Sequence, residues 1–179
     1  IMSGTKIGVF GDFDVDGATS TALFCRFLEK LGMKPEFYIP DRLNEGYGPN
    51  IKAFRKLRDK GVDLLFVLDC GTTSLDVIHQ GRQLGLDIII VDHHEAGPEL
   101  PEANYIINPK RSDDSSDLDM LAAVGVTFLC CVAINRALRE KGMYKQSGFV
   151  EPDLKHVLDL VALGTVCDMV PLTGPNRLL

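Results

Sequence analysis

Aspartate and histidine side chains gather in four short motifs, three of which come directly after a run of apolar residues. The side chains concerned are, in chain order, Asp12, Asp14, Asp69, Asp92, His93, His94 and Asp168. Short apolar runs bounded in this way are typical of buried parallel strands. In an open α/β sheet the ligand crevice lies outside the carboxyl ends of the strands. Carboxylates that meet there repel one another unless cations neutralise them. The pattern therefore predicts a metal site with oxygen and histidine ligands.

The acids of the first two motifs have competing explanations. Asp12 and Asp14 stand two residues apart, so in an extended segment both carboxylates face one ion or an adjacent pair of ions. Asp16, two residues further on, is better explained as a residue that helps to cap a helix. Asp69 could also be a helix cap, but two other acidic strand ends in the same sheet favour a metal ligand.

The Asp92-His93-His94 motif is the most specific of the four. Adjacent histidines after a buried strand point to different sides, so one can bind a metal while the other faces a substrate. The neighbouring carboxylate of Asp92 is suited to orienting a histidine.

The donor types limit the metal and the reaction. Carboxylates with one histidine favour Mn²⁺ or Mg²⁺ over zinc, which prefers cysteine and several histidines. Two such ions suit in-line attack on phosphorus. The chain has neither a Walker A pattern nor a G-x-G-x-x-G pattern, and no nucleophile elbow. These observations predict a two-metal phosphoesterase.

The elements that must position these motifs alternate between strand and helix along the first part of the chain. Strands are predicted over 6–10, 36–39, 63–68, 87–91 and 104–107, with helices over 18–31, up to Gly61 and over 74–84. This order predicts an α/β fold with a doubly wound, mostly parallel five-stranded sheet and flanking helices. A helical C-terminal part follows, with a buried helix over 118–139 and another that starts at Glu151. Residues 1–109 would be the sheet core and residues 118–179 the helical extension.

Length and composition are those of one globular domain. The chain has 179 residues, 45% hydrophobic content and a net charge of −6, which neither suggests nor excludes a nucleic-acid partner. Its five cysteines form no C-x-x-C pair, so buried thiols in a reducing cytoplasm are expected. No apolar stretch approaches a membrane span. Both ends look cut, and we expect the domain to be part of a longer protein.

The motifs taken together resemble the DHH phosphoesterase superfamily. The resemblance rests on the segments 11–17, 69–71, 92–94 and 167–172, which occur in the order of the family motifs. The segments 18–21, 45–48 and 170–172 are more specifically similar to the single-stranded-DNA exonuclease branch, the RecJ family. This resemblance covers essentially the whole chain.

The resemblance implies a manganese-dependent enzyme, with Mg²⁺ as the alternative ion, that digests single-stranded DNA from its 5′ end in repair and recombination. The metal ligands would be Asp12, Asp14, Asp69, His93 and Asp168, with Asp69 bridging two ions. The resemblance also implies that His94 meets the scissile phosphate or protonates the leaving oxygen, and that Asp92 orients a histidine. Downstream domains that grip DNA and could bind repair proteins would be absent from these 179 residues.

Two further positions of the sequence bear on the predicted site. Some relatives have an extra histidine ligand two residues before the first aspartate, where this chain has Phe10. Arg42, in the loop after the second strand, is a candidate for contacting a substrate phosphate, although an exposed arginine with no such role is an equal expectation.

Alternative functions stay open at this point. An inorganic pyrophosphatase, or a phosphodiesterase for oligonucleotides or cyclic dinucleotides, would use the same ligands. A non-catalytic scaffold of the replication fork is a further alternative, but such relatives have lost metal ligands.

Overall fold

The computed structural model describes residues 4–145 and 150–179, and these residues contain a five-stranded parallel sheet flanked by helices. The strands are β1 (Ile7–Gly11), β2 (Glu36–Tyr38), β3 (Leu64–Leu68), β4 (Asp87–Val91) and β5 (Tyr105–Ile107). The α-helices are α1 (Val15–Lys30), α2 (Ile51–Asp59), α3 (Leu75–Gln83), α4 (Ala123–Glu140) and α5 (Leu158–Cys167). Short 3₁₀ helices lie at Met143–Lys145, Leu154–Val157 and Gly174–Arg177. The predicted α/β fold class is confirmed.

Each central strand buries side chains on both of its faces, which explains why its sequence is almost continuously apolar. In β1, Val9 belongs to the core layer beneath α1, α4 and α5, whereas Phe10 belongs to the layer beneath α2 and α3. Phe66 and Leu65 of β3 divide between the same two layers. This period-two alternation places helices on both sides of the sheet.

The strand order β2-β1-β3-β4-β5 puts β1 beside both β2 and β3. The chain crosses from β1 to β2 in one direction and then returns past β1 to β3, so the order reverses between β1 and β3. In doubly wound sheets such a switch point opens a crevice at the carboxyl ends of the strands. The residues that directly follow β1 and β3 are Asp12 and Asp69.

Helix α1 begins three residues earlier than the sequence predicted, at Val15 rather than Ala18. The side chain of Asp14 caps it by accepting a hydrogen bond of 2.9 Å from the Gly17 amide. Because the cap lies so early, Asp16 is part of the first helical turn and not of the preceding loop.

Helix α4 differs from its prediction in both extent and burial. It begins at Ala123, not at Leu118, and only residues 123–127 are continuously buried, while Val132 further along is 40% exposed. The apolar run from residue 118 therefore splits into a connecting turn and a helix. The start of α4 at Ala123 is determined by a residue far away in the chain, because the first amides of this helix donate hydrogen bonds to the carboxylate of Asp16.

Helices α4 and α5 pack directly on α1, so the C-terminal segment adds to the same core layer as the sheet. None of the helices in the described ranges is long and apolar enough to cross a membrane.

Candidate metal centre

Three buried aspartates stand at the carboxyl ends of adjacent strands. Asp12 follows β1, Asp69 follows β3 and Asp92 follows β4, and each is at most 1% exposed. Parallel pairing keeps these ends in register, since Gly11 pairs with Leu68 and Leu68 with Val91. The sheet therefore delivers three carboxylates to one edge, as the sequence predicted.

A close approach of α1 to the end of β1 adds a further acid. A Cβ atom on Gly17 would lie 2.5 Å from the carbonyl oxygen of Asp12, so a larger residue does not fit there. The glycine lets the first turn of α1 rest against the backbone of Asp12. Asp16, also in that turn, is consequently 1% exposed and faces the same edge of the sheet.

His93 lies at the centre of the acidic groups. Its Nε2 atom is 3.4 Å from Oδ1 of Asp69, 3.7 Å from Oδ2 of Asp16 and 3.7 Å from Oδ2 of Asp168. These carboxylates come from the end of β3, the first turn of α1 and the residue after α5. One nitrogen thus faces three segments that are remote in sequence.

Potential ligand atoms form overlapping groups around this nitrogen within the described part of the chain. Each group has its ligand atoms within 4.8 Å of one another, and the groups are Asp12–Asp14–Asp69, Asp16–His93–Asp168 and Asp69–His93–His94. Asp69 belongs to two of these groups, as expected of a carboxylate between two ions. Its backbone is left-handed, with φ of 62°, a conformation that costs free energy for a residue other than glycine and often marks functional sites.

Burial dominates the electrostatics of these acids. It raises the pKa of Asp12, raises the pKa of Asp16 to about 7 and raises the pKa of Asp69 to about 11. The charge of Asp168 also raises the pKa of Asp16, and the charges of Asp16 and Asp14 raise the pKa of Asp69. The acids therefore cannot all be ionised together without a compensating positive charge.

The residues present fit a divalent cation. Oδ2 of Asp12, both carboxylate oxygens of Asp69 and both ring nitrogens of His93 are buried without a hydrogen-bond partner among the described residues. Buried polar atoms almost always have a partner, and a bound ion is one of the explanations for a group of exceptions. Burial also lowers the pKa of His93, which favours the neutral ring that metals bind. Oxygen donors with a single central histidine match Mn²⁺ and Mg²⁺.

His94 lies beside His93, with ring centroids 4.7 Å apart, and is held at both of its ring nitrogens. Nδ1 lies 2.7 Å from Oδ1 of Asp92, and Nε2 lies 2.9 Å from the hydroxyl of Tyr47. The hydrogen bond to Asp92 raises the pKa of His94, against the effect of burial. Burial alone would raise the pKa of Asp92, but hydrogen bonds from His94 and Thr72 outweigh it and lower that pKa. His94 is thus an oriented imidazole that can carry a proton.

The loop that carries the two histidines is held in place by hydrogen bonds from a buried asparagine. Asn108, which is 3% exposed, donates through Nδ2 to the carbonyl of His94 at 2.8 Å and to Oγ1 of Thr72 at 3.0 Å. The Thr72 amide donates to Asp92 at 3.0 Å. These bonds join the segments after β3, β4 and β5 into one support.

Two of the sequence candidates lie outside the acidic centre. Arg42 is exposed, with its guanidinium 5.3 Å above the ring of Phe13 at the rim of the site. Phe10, at the position of an extra histidine in some relatives, is fully buried between the rings of Tyr38 and Phe54. It belongs to the opposite core layer and does not reach the centre.

Sequence reasoning missed Asp16 as a candidate ligand and did not single out Tyr47 as a partner of His94. Asp16 does cap a helix, but that helix is α4. Its carboxylate accepts hydrogen bonds from the amides of Ala123 and Val124 at 2.6 and 2.8 Å. A carboxylate has about four lone-pair sites, so these two bonds leave room for an ion. The spacing of Asp12, Asp14 and Asp16 was the available signal.

Comparison with known proteins gives consistent results. The model of the DHH family, N-terminal domain, matches residues 6–165. The single-stranded-DNA-specific exonuclease RecJ of Bacillus subtilis (strain 168) is 42% identical over 174 residues, which are 97% of this chain and 20% of that relative. A crystal structure of exonuclease RecJ bound to manganese matches with a TM-score of 0.82 and 32% identity, over 99% of this chain and 42% of that one.

A third match is the crystal structure of RecJ from Thermus thermophilus in complex with Mg²⁺. It has a TM-score of 0.57 and 25% identity, and the match covers 98% of this chain and 19% of that one. The chain thus spans about a fifth of the length of the Bacillus relative.

Proposed function

The chain belongs to the DHH family, and from that membership we propose that residues 1–179 form the catalytic domain of a metal-dependent phosphodiesterase. Its activity is that of a 5′-to-3′ exonuclease on single-stranded DNA, used in repair and recombination. The observation that carries the proposal is the group of unpartnered buried acceptors around His93, with Asp69, Asp16 and Asp168 within 3.7 Å of its Nε2.

The proposed ligands divide between two neighbouring positions for Mn²⁺, which Mg²⁺ can also occupy. Asp12 and Asp14 serve one position, while Asp16, His93 and Asp168 serve the other, and Asp69 lies between them. When bound, two divalent ions polarise the phosphate oxygens and make water a nucleophile at neutral pH. Asp16 is added here to the ligands expected from the sequence.

His94 and Asp92 are the proposed proton-handling pair. Asp92 holds Nδ1 of His94, so that Nε2 is the atom free to meet a substrate oxygen once it exchanges its bond with Tyr47. The raised pKa of His94 suits a general acid that protonates the leaving oxygen near neutral pH. Arg42, at the rim, is the proposed contact for a phosphate that follows the scissile one.

The alternatives remain distinct in what they require of this chain. A scaffold needs no ligands, yet the buried acids and His93 form a full donor set. A pyrophosphatase or dinucleotide phosphodiesterase would use the same centre, but the Bacillus relative reported above is named as a single-stranded-DNA-specific exonuclease. The free thiols of Cys25, Cys70, Cys130, Cys131 and Cys167 in the described residues support the proposed cytoplasmic location.

One assay panel separates these functions. Pyrophosphate, a dinucleotide and 5′-labelled single-stranded DNA are incubated with the protein in Mn²⁺ or in EDTA, with Asp69→Asn as the matched control. We expect Mn²⁺-dependent release of mononucleotides from the DNA and little turnover of pyrophosphate. Faster hydrolysis of pyrophosphate, or cleavage that Asp69→Asn retains, would contradict the proposal.

A further inference from the structure

The mouth of the metal centre carries an exposed aromatic ring that the proposed chemistry does not use. Tyr47 is 59% exposed, although it lies directly beside the buried acids. Exposed large aromatic side chains are common when they are free to move, but this ring is held from several sides.

The first restraint acts on the side chain itself. The hydroxyl of Tyr47 is 2.9 Å from Nε2 of His94, and the ring of Tyr47 meets that of Phe13 edge to face, with centroids 6.2 Å apart and an interplanar angle of 85°. The hydroxyl end of the ring is thus tied to the proposed catalytic histidine, and the ring also contacts the loop between the first two aspartates.

The second restraint acts on the loop. Gly46 and Gly48, on either side of Tyr47, have φ of 77° and 80°, which other residues adopt only with strain. The amide of Gly48 lies 3.5 Å from Oδ1 of Asp12. Glu45 accepts a hydrogen bond of 2.7 Å from the hydroxyl of Tyr38. The loop therefore presents Tyr47 in one orientation.

Positive charge is available next to the ring. The guanidinium of Arg42 is 5.3 Å above the ring of Phe13, which is itself in contact with Tyr47. Arg42 and the two aromatic rings form a continuous rim that ends at His94. Proteins that bind single strands combine such aromatic rings with cationic groups, because every base has a face that can stack.

We propose that Tyr47 is a stacking platform for the nucleobase next to the scissile phosphate, with Phe13 supporting its edge and Arg42 contacting the adjacent phosphate. The inference rests on the proposed function, since a base must be attached to the phosphate at the metal centre. A preformed ring loses little conformational entropy when a base stacks on it, and the base places its phosphate beside His94. The platform selects unstacked nucleotides, because both faces of a base within a duplex are already covered by neighbouring bases.

The test pairs substitutions of Tyr47 with removal of the base. An all-thymine oligonucleotide is compared with oligonucleotides that carry an abasic tetrahydrofuran residue at the first or second position from the digested end. For the unmodified protein we expect kcat/KM in Mn²⁺ to fall about 5- to 100-fold on one of the abasic substrates, the range expected for one stacked base. For Tyr47→Ala we expect a similar fall in kcat/KM on the thymine substrate. Removing the base as well should then cause no further fall in kcat/KM for this variant.

Tyr47→Phe separates stacking from the hydrogen bond to His94. It retains the ring, so it should remain sensitive to the missing base. Tyr105→Ala is the matched control, because Tyr105 is a tyrosine 70% exposed at the start of β5. This variant should behave as the unmodified protein, and thermal melting checks that all variants fold.

Other outcomes have definite meanings. If the losses from Tyr47→Ala and from the abasic residue multiply, the ring and the base do not interact and the platform is wrong. If Tyr47→Phe is as impaired and as insensitive to the base as Tyr47→Ala, the side chain acts through His94 alone and the platform is again wrong. A protein without Mn²⁺-dependent hydrolysis of any oligonucleotide would instead overturn the proposed function.

Discussion

At the scale of single residues, the two adjacent histidines have different surroundings and therefore different roles. His93 is 5% exposed with both ring nitrogens unpartnered, whereas His94 is partly exposed and held at both nitrogens. The proposed roles are a metal ligand for His93 and a proton donor for His94, so substitutions at the two positions should separate metal binding from turnover.

Asp69→Asn should abolish tight Mn²⁺ binding, because it removes a charge shared by two groups of ligands. His94→Gln should leave Mn²⁺ affinity nearly intact and lower kcat by roughly 10²- to 10⁴-fold, the usual contribution of a general acid. Calorimetric titration with Mn²⁺ and single-turnover kinetics measure the two effects. Equal losses of Mn²⁺ affinity in both variants would show that the roles are misassigned.

Asp16→Asn tests whether Asp16 is more than a cap for α4. Loss of a capping carboxylate costs about 1 kcal/mol of unfolding free energy, and this loss should appear even in EDTA. A ligand must also lose Mn²⁺ affinity when its charge is removed. The matched control is Asn50→Ala, since Asn50 caps α2 by accepting from the Ala53 amide at 2.9 Å. That control should lose stability alone, and the same result for Asp16→Asn would leave Asp16 a cap.

At the scale of elements, the position of α5 depends on a glycine that faces α1 and α4. A Cβ atom on Gly164 would lie 2.4 Å from Oγ1 of Thr19 and 2.8 Å from Cγ1 of Val124. Asp168 follows one helical turn later, and its amide donates to the carbonyl of Gly164 at 2.9 Å. The packing of one helix thus determines where a proposed ligand stands.

Gly164→Ala should therefore weaken Mn²⁺ binding, and the added Cβ would also lie 3.1 Å from Oδ1 of the proposed ligand Asp16. Overpacking costs about 1–3 kcal/mol of unfolding free energy, and the displaced helix carries Asp168 away from His93. Gly125→Ala in α4 is the control, because its Cβ would approach only the side chain of Leu121, with Cδ2 at 3.3 Å. Denaturation and Mn²⁺ titration of both variants check the prediction, which fails if Gly164→Ala binds Mn²⁺ normally.

At the scale of the whole molecule, metal and pH should act on stability together. In the unfolded chain an aspartate has a pKa of about 3.9, whereas burial raises the pKa of Asp16 to about 7 and that of Asp69 to about 11. In EDTA the folded state keeps protons that the unfolded state releases, so the free energy of unfolding should fall as pH rises from about 4 to 7. The lowered pKa of His93 acts in the opposite sense, and the raised pKa of His94 offsets it.

Addition of Mn²⁺ should reverse this trend, because ions bind the deprotonated carboxylates. At 100 times its dissociation constant, a ligand adds about 2.7 kcal/mol to the free energy of unfolding. Urea denaturation over this pH range, with and without Mn²⁺, measures both slopes. Stability in EDTA that increases toward neutral pH would contradict the raised pKa values of the acids.

The sequence located the acids at strand ends because a strand and the residue after it are local features. Apolar runs precede Asp12, Asp69 and Asp92, and the parallel pairing of these strands brings the three residues to the same edge of the sheet. The role of Asp16 was not accessible in this way, because its partners at α4 are 107 residues further along the chain. The bond between Tyr47 and His94 likewise depends on how a loop folds over the sheet, which no periodicity records.

The wide separation of the groups around His93 has a consequence for how the protein is made. Residues 12 to 93 leave the ribosome well before Asp168, which is among the last groups to join the centre. On the proposed ligand assignment, a nascent chain that lacks α5 holds an incomplete centre. On this assignment the proposed ligands can all meet only after α5 has been synthesised and has packed on α1.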